Sequence, residues 1–344
     1  MSLQITARSS RIHPSVRFGH EVVIEADELD LGEGVVIGSQ VVLRARNIQL
    51  GAGTQVGDRV QLHSLRGGLA ESWVMGHQCL LGNDCRLALP TLVCGDYVNI
   101  HNHGLLNGSQ PMVLGHNCWV GQNCVLNSDS LLWIGNHVGI GAYSCLYTHA
   151  YWGDVLEGCT LCKSEPVVVE DDCWIVGSYN VIAPGLHLGA RSIVLTGSMV
   201  SRSVLPEQVV GGAPARPMQR SKPMYVKRSP EEKLAMMADY LDEFASAQGL
   251  AVEKGSSDWY FPEHDAVFWV ATPSSRSAAF RLGIVAQAIN PPPGGEGLIE
   301  VGGRRYFPSR HPMEVRLLKF LKSYRARFVP ADRPVVGAEL KPTF

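Results

Sequence analysis

DDCWIVGSYNVIAPGLHLGARSIVLTGSMVSRSVLPEQVVGGAPAR, residues Asp171 to Arg216, decides the fold. Aliphatic residues recur through it every six positions: Val169 just before it, Ile175, then Ile182 after one extra residue, Leu188, Val194 and Val200. A spacing of six suits neither an amphipathic helix, which repeats at about 3.6, nor one long strand, which repeats at about 2. It fits short flat strands separated by corners, each strand turning one aliphatic side chain inward. Such units wind into a solenoid in which every coil lies on the one before.

The same organisation extends toward the N-terminus. Glycines stand at Gly19, Gly38, Gly57, Gly76 and Gly95, nineteen residues apart. Phe18, Ile37, Val56, Met75 and Cys94 precede them, and Val22, Val41, Val60, Cys79 and Val98 follow three residues later. Three six-residue faces and one extra corner residue make a nineteen-residue coil. On this phasing Val22, Val41, Val60, Cys79 and Val98 are expected to stack in one interior column. Two stretches break the count: IHNHGLLNGSQPMVL, from Ile100 to Leu114, and AYWGDVLEGCTLCKSEP, from Ala150 to Pro166. Both are expected to leave the prism as surface loops, where function concentrates.

The 344 residues suffice for two domains, and 45% hydrophobic with 18% charged residues describes a soluble globular protein. A net charge of −2 gives no bulk electrostatic pull toward nucleic acid or membrane. No segment is apolar for long enough to span a bilayer. The first twenty residues hold no apolar run of the kind a secretory signal needs, so a cytoplasmic location is expected. All nine cysteines lie between Cys79 and Cys173 without disulfide-scaffold spacing. Several fall on repeat positions and read as small buried hydrophobes in a reducing compartment. Cys159 and Cys162 form a lone C-x-x-C, which without a second pair reads as structural.

Four pieces of the deciding stretch point further: Trp174-Ile175, Pro184-Gly185, Gly197-Ser198-Met199-Val200 and the closing Gly212-Ala213-Pro214-Ala215-Arg216. With the six-residue repeat, they resemble the hexapeptide-repeat acyltransferases, the sugar and xenobiotic O-acetyltransferases among them. The resemblance runs from Ile12 to Met218 and is most specific from Leu114 onward. It implies a mainly β fold, a left-handed parallel β-helix of triangular section over residues 1–218. It also implies acetyl-CoA as co-substrate, a homotrimer with its active site between prisms, and direct attack on the thioester without an acyl-enzyme.

The resemblance also marks residues. His149, in Leu146-Tyr147-Thr148-His149-Ala150, matches the Thr-His or Ser-His whose imidazole takes the proton of the acceptor hydroxyl or amine. Histidine suits that task because its ordinary pKa lies near 6.5. Beside it, Tyr151 and Trp152 offer flat faces for a sugar ring, and Asp154 is a candidate to bond a sugar hydroxyl or to orient His149. Trp174 and Ser178 match positions along the pantetheine arm. Ser201, Arg202, Gly212, Ala213 and Arg216 match the places that hold the nucleotide end, where guanidinium pairs with phosphate. The sequence departs from the pattern at three places. Ser201-Arg202-Ser203 stands for Thr-Lys-Asp, Arg216 for a frequent lysine, and one residue is inserted in Ile175-Val176-Gly177-Ser178.

The expected function is an acetyl-CoA-dependent O-acetyltransferase acting on a sugar or polysaccharide precursor, with no metal. An N-acetyltransferase of an amino sugar is a variant of the same chemistry. His101, His103, His116 and His137 raise the alternative of a zinc-dependent, carbonic anhydrase-like enzyme on this fold. A non-catalytic β-helix scaffold is a further class.

After Arg216 the repeat stops. Arg220 to Arg228 reads as a linker, and residues 219–344 as a small α+β domain. Ser229-Pro230-Glu231-Glu232 is a capping box with proline at the first helical position, followed by Leu234, Met237, Leu241 and Phe244 at helical spacing. Val267–Val270 and Leu282–Val285 read as strands. Gly302-Gly303 turns a hairpin between Leu298–Val301 and Arg304–Phe307. A second helix is expected from His311 to Ala326, burying Val315, Leu318 and Leu321. Arg304 to Arg327 holds eight basic residues and one acid, Glu314, and reads as a solvated helix face.

Overall fold

A computed structural model describes residues 2–219, 223–288 and 290–342. The chain forms two compact units, Met1–Tyr225 together with Val335–Phe344, and Val226–Pro334. The linker expected from Arg220 to Arg228 lies in part, at 220–222, outside the described residues.

The first unit is a parallel β-helix of three faces. The chain meets them in a fixed order, seen in one coil as Leu132–Ile134 on the first face, Gly139–Ile140 on the second and Cys145–Leu146 on the third. The second face is a ladder running from Arg17–Phe18 to Val209–Gly211, parallel at every step. Each two-residue strand turns its second residue inward, as in Ile37, Val56, Leu81, Ile100, Val120, Ile140, Ile175 and Val194, all buried. In the first coils the strands Leu3–Ile12, Val22–Leu31 and Val42–Leu50 bend through a corner, so the first and third faces join into one sheet there.

The five residues expected in one column are all buried. They occupy two columns, however. Val42 pairs with Gln61 and Gln61 with Arg86, which carries Val41 and Val60 on to Cys85. Gln55 pairs with Leu80 and Leu80 with Asn99, which puts Cys79 and Val98 above Thr54. Between them, the register from one coil to the next is 25 residues instead of 19. The additional six residues form a turn around Ser64–Gly68. Six residues equal one face in sequence, so the glycine count runs on unbroken while the chain has slipped by a face.

The stretch from Ile100 to Leu114 also departs from expectation. It stays in the prism, with strands at Leu105–Asn107 and Met112–Leu114. Gly108 and Pro111 are absorbed in a third corner one residue longer, so the register becomes 20. The stretch from Ala150 to Pro166 does leave the prism, on an antiparallel stem of His149–Tyr151 against Cys162–Ser164.

Backbone bonds run from coil to coil along the faces and into the corners, and the corner N–H groups they leave over need other partners. Between the first and second faces, side chains supply them. Ala52 N–H donates to His77 Nδ1 (2.9 Å), His77 N–H to Asp96 Oδ1 (2.8 Å), and Asp96 N–H to His116 Nδ1 (2.8 Å). His116 N–H then donates to Asn136 Oδ1 (2.8 Å) and Asn136 N–H to Asp171 Oδ1 (2.7 Å). The next corner repeats the device through Ser39, Asp58, Asn83 and Asn102. Glycines precede His77, Asp96, His116 and Asn136, and each leaves room for the acceptor of the next coil. A Cβ on Gly95 would stand 2.7 Å from His116 N and 2.8 Å from its Nδ1.

The buried cysteines serve the same end. Cys79, Cys85, Cys118, Cys124 and Cys173 direct Sγ at a carbonyl one coil on, at Gly95, His101, Gly135, Gly141 and Gly189, over 3.0–3.2 Å. Burial pushes the thiols of Cys85, Cys124 and Cys173 up to about 11, so they are inert donors.

The second unit has helices α1 (Pro230–Ala247) and α2 (Pro312–Ser323) and a seven-stranded sheet from Glu253–Lys254 to Val329–Pro330, in which sequence neighbours pair. Ser229 and Glu232 form the capping box. The hairpin pairs Leu298 with Phe307. On α2, Leu317, Leu318 and Leu321 are buried while Val315 is only partly so. Phe244 anchors the core, its ring centroid 6.0, 6.3 and 5.4 Å from those of Phe261, Phe268 and Phe320.

Gly95→Ala should cost about 1–3 kcal/mol, the range for overpacking, because the new methyl displaces a ladder histidine. Gly68→Ala, with no atom nearer than 3.6 Å, should cost less than ~0.5 kcal/mol. Thermal unfolding of the two variants checks this, and equal melting temperatures would remove the steric account of the corner glycines.

Candidate active site

His149 sits at the corner between the third and first faces, where the loop stem begins. Leu126 pairs with Leu146, so Asn127, Ser128 and Asp129 lie one coil back, level with Tyr147, Thr148 and His149. Stacking therefore brings a carboxamide and a carboxylate to the imidazole. His149 Nδ1 is 2.7 Å from Asn127 Oδ1 and 3.1 Å from Asp129 Oδ2. The Thr148 hydroxyl (3.0 Å) and the Asp129 N–H (3.3 Å) converge on the same Asn127 oxygen. Both atoms facing Nδ1 are acceptors, so Nδ1 carries the hydrogen and the lone pair of the neutral ring is on Nε2. The side chain as a whole is 29% exposed.

Asp129 is the hub of this corner. Oδ1 accepts from Ser109 N–H one coil back (3.1 Å), the ladder arrangement of the other corners. Oδ2 takes the Tyr151 hydroxyl (2.8 Å) as well as facing His149. Burial alone would raise this carboxyl, but the hydrogen bonds from Tyr151, Asn127 and Ser109 and the nearby imidazole together hold it below the usual carboxylate range. Tyr151 also lays its ring 4.6 Å from that of His149, and Tyr147 presents an edge at 6.1 Å.

Asp154 is elsewhere engaged. Its Oδ1 accepts from the N–H groups of Leu156 (2.8 Å) and Glu157 (3.4 Å), which builds the loop's own turn. The side chains at His149 Nδ1 are those of Asn127 and Asp129. Nothing within a few residues of His149 marks those two, since they stand 22 and 20 residues away in sequence. Trp152 is fully exposed on the loop.

The remaining marked residues fall at several places. Ser201 and Arg202 are exposed at the same corner as His149, two coils on, since Tyr147 N–H bonds Ile182 O and Ala183 N–H bonds Val200 O. At the ordinary strand spacing that is about 10 Å along the axis. Trp174 lies on the second face, 51% exposed, its Cδ1 3.2 Å from where a Cβ on Gly139 would be. Ser178 follows at the next corner, after the inserted residue, which Gly177 takes up with φ of 70°. Gly212 and Ala215 bracket Met199: Met199 N–H bonds Gly212 O (3.0 Å), and Ala215 N–H bonds Met199 O (2.7 Å). Ala213 and Arg216 are exposed there, Arg216 donating to Ala215 O. Within one chain, then, Ser201 and Arg202 share the corner of His149, while Trp174 is one face away.

The four histidines weighed as zinc ligands are distributed along two corners. His116 is fully buried with Nδ1 occupied as a backbone acceptor. Among the described residues, no group of three or more His, Cys, Asp or Glu side chains is placed to hold a metal ion. No described helix is long and apolar enough to cross a membrane.

A stacked parallel β-helix with an oriented histidine at one corner defines a class, and sequence comparison agrees with it. No protein-family model matches the chain. Chloramphenicol acetyltransferase of Escherichia coli is 33% identical over 77 residues, 22% of this chain and 33% of that protein. Galactoside O-acetyltransferase of Escherichia coli (strain K12) is 35% identical over 68 residues, 19% of this chain and 33% of that protein. The chain thus spans about a third of the length of these curated relatives. Among solved structures, the hexapeptide-repeat containing acetyltransferase VCA0836 of Vibrio cholerae is 32% identical, over 41% of this chain and 73% of that one, with a TM-score of 0.27. Its complex with acetyl coenzyme A is 31% identical over 41% and 70%, also with a TM-score of 0.27. On that sequence identity, across nearly three quarters of the relative, the chain belongs to the hexapeptide-repeat acyltransferase family.

Two measurements test the corner. Nitrogen NMR of neutral His149 should show the Nδ1–H tautomer; an Nε2–H resonance would overturn the assignment of Asn127 and Asp129 as its acceptors. Because the Asp129 pKa is depressed on folding, its contribution is present above the ordinary carboxylate range, near 3.9, and is lost as pH falls through the folded value. Asp129→Asn should therefore unfold at lower temperature than wild type at pH 6, with the gap closing as the solution is acidified. A gap that does not change with pH would mean the carboxylate charge contributes nothing.

Proposed function

We propose that this protein is a cytoplasmic, acetyl-CoA-dependent O-acetyltransferase acting on a hydroxyl of a sugar or polysaccharide precursor. Nε2 of His149 accepts the hydroxyl proton as the oxygen attacks the thioester carbonyl. The C–S bond then breaks, the acetyl group passes to oxygen, and the coenzyme A thiolate leaves and takes up a proton. No acyl-enzyme forms. Asn127 and Asp129 keep the lone pair on Nε2 and stabilise the imidazolium while it holds the proton. Tyr151 and Trp152 supply aromatic faces for the acceptor ring. Arg202 and Arg216 meet the phosphates, and Trp174, Ser178, Ser201, Gly212 and Ala213 border the path of the thioester arm.

The observation that carries this reading is the pair of acceptors at His149 Nδ1. A surface histidine without a role needs no such pair. The separation of Trp174 from His149 within one chain supports a homotrimer, in which a second copy brings its own face to the corner of the first. The relatives named above supply the acetyl donor by analogy.

His149→Ala should lower kcat by about 100-fold or more, the loss expected for a general base. The dissociation constant for acetyl-CoA should change by less than about threefold, or roughly 0.6 kcal/mol. Steady-state kinetics with a panel of sugar acceptors and calorimetry with acetyl-CoA read the two quantities. Near wild-type turnover would remove His149 from the mechanism, and lost acetyl-CoA binding would move it to the donor site.

A further inference from the structure

The chain leaves the β-helix unit after Tyr225 and rejoins it at Val335. Both bordering segments are fastened to one corner, Glu170-Asp171-Asp172. The Tyr225 hydroxyl donates to Asp172 O (3.0 Å), and Lys341 Nζ donates to both Glu170 oxygens (2.9 and 3.0 Å). That corner directly follows Val167–Val169, the strand on which the chain returns from the loop that begins at His149. Ordinary coils here repeat at 20 residues, but Leu132 pairs with Val167, 35 residues on. A coil of a solenoid is held chiefly by its neighbours, and after this excursion the chain must find its register on them again.

The returning segment crosses that place. Val336, 4% exposed, packs with Val113, Trp133 and Val168 on the outside of the first face, and Leu340 joins them. Gly337 has φ of 58°, and a Cβ there would stand 2.9 Å from Val113 Cγ1. The Lys341 ammonium lies 4.4 Å from the centre of the Trp133 ring, a cation–π contact. Glu170 also bonds His187 Nε2 at 3.0 Å. Val113 and Trp133 precede the excursion; Val168, Glu170 and His187 follow it.

We propose that residues Val336–Lys341 form a clasp that holds the return strand in register and so fixes the stem of the loop that carries His149. The path is short and contiguous. Val168 is four residues from Ser164, which pairs with His149 and whose hydroxyl bonds Asp129 O at 3.3 Å. The clasp is a positioning device and touches no substrate, and it holds whether or not His149 is the base.

Hydrogen exchange of the full-length protein tests it, comparing wild type with Val336→Ser/Lys341→Ala. With the clasp released, amides of 150–169 should exchange about tenfold faster, while those of Val22–Leu50 keep their wild-type rates. Faster exchange at 336–341 itself reports release. Release with no change at 150–169 would overturn the proposal, as would a uniform rise through all coils, which would mean general stapling. Should the double variant not fold, Gly337→Ala disturbs the clasp alone at Val113 and is judged by the same two regions.

Discussion

Backbone bonds run from coil to coil beyond the short strands, as from Gly95 N–H to Leu114 O and from Asn117 N–H to Asp96 O, so the β-helix depends on what happens to the corner N–H groups that this ladder leaves over. A buried backbone group without a partner costs about 1–3 kcal/mol, whereas a satisfied one gains only about 1. The chain meets this with side chains that reach along the axis. Ser, Asp, Asn and His accept from corner N–H groups of the previous coil, and thiols direct Sγ at corner carbonyls of the next. These types share one property, a short side chain with a polar atom at the reach of one strand spacing. The glycines that precede His77, Asp96, His116 and Asn136 follow from the same geometry, because the acceptor of the next coil takes the space a Cβ would fill.

The candidate active site is a corner of this kind put to further use. Ser109, Asp129 and His149 stand in successive coils, level with one another. Asp129 Oδ1 does the structural work, accepting Ser109 N–H as any ladder residue does. A carboxylate has a second oxygen, and here it faces His149 and Tyr151. The imidazole occupies a ladder position but points Nδ1 at the side chains below it, the orientation the proposed base would need. A rigid stack therefore fixes the direction of the ring at little added conformational cost, which is what a general base requires of its surroundings.

How much of this is legible in the sequence depends on the span over which each feature acts. The period of six, the inward residues and the capping box of α1 are local, and each stands where the pattern puts it. His149 is marked by its neighbours Tyr147 and Thr148. Asn127 and Asp129 are not, because their relation to His149 exists only once the coil length is known to be 20, and the glycine spacing upstream is 19. The interior column failed for a related reason: six residues inserted near Gly67 preserve the count of faces and hide the slip of register. Val336, Gly337 and Leu340 carry no periodic signal at all. Their partners, Val113, Trp133 and Val168, are outward-facing residues whose burial is decided by a segment some 170 residues or more away.

A solenoid also has two ends, and this one treats them differently. At the C-terminal end Arg216–Pro217 folds back antiparallel on Val209–Gly211, and proline is tolerated there because that strand is the last. At the N-terminal end, among the described residues, Leu3–Ile12 pairs on one edge, with Val22–Leu31. Two of its ten side chains, Arg8 and Arg11, are charged. Arg8 pairs with Asp27 at 3.0 Å and Arg11 with Asp30, and both arginines are more than four-fifths exposed. Exposed ion pairs contribute little stability, about 0–1 kcal/mol each. Charged side chains on such an edge disfavour its pairing with another strand.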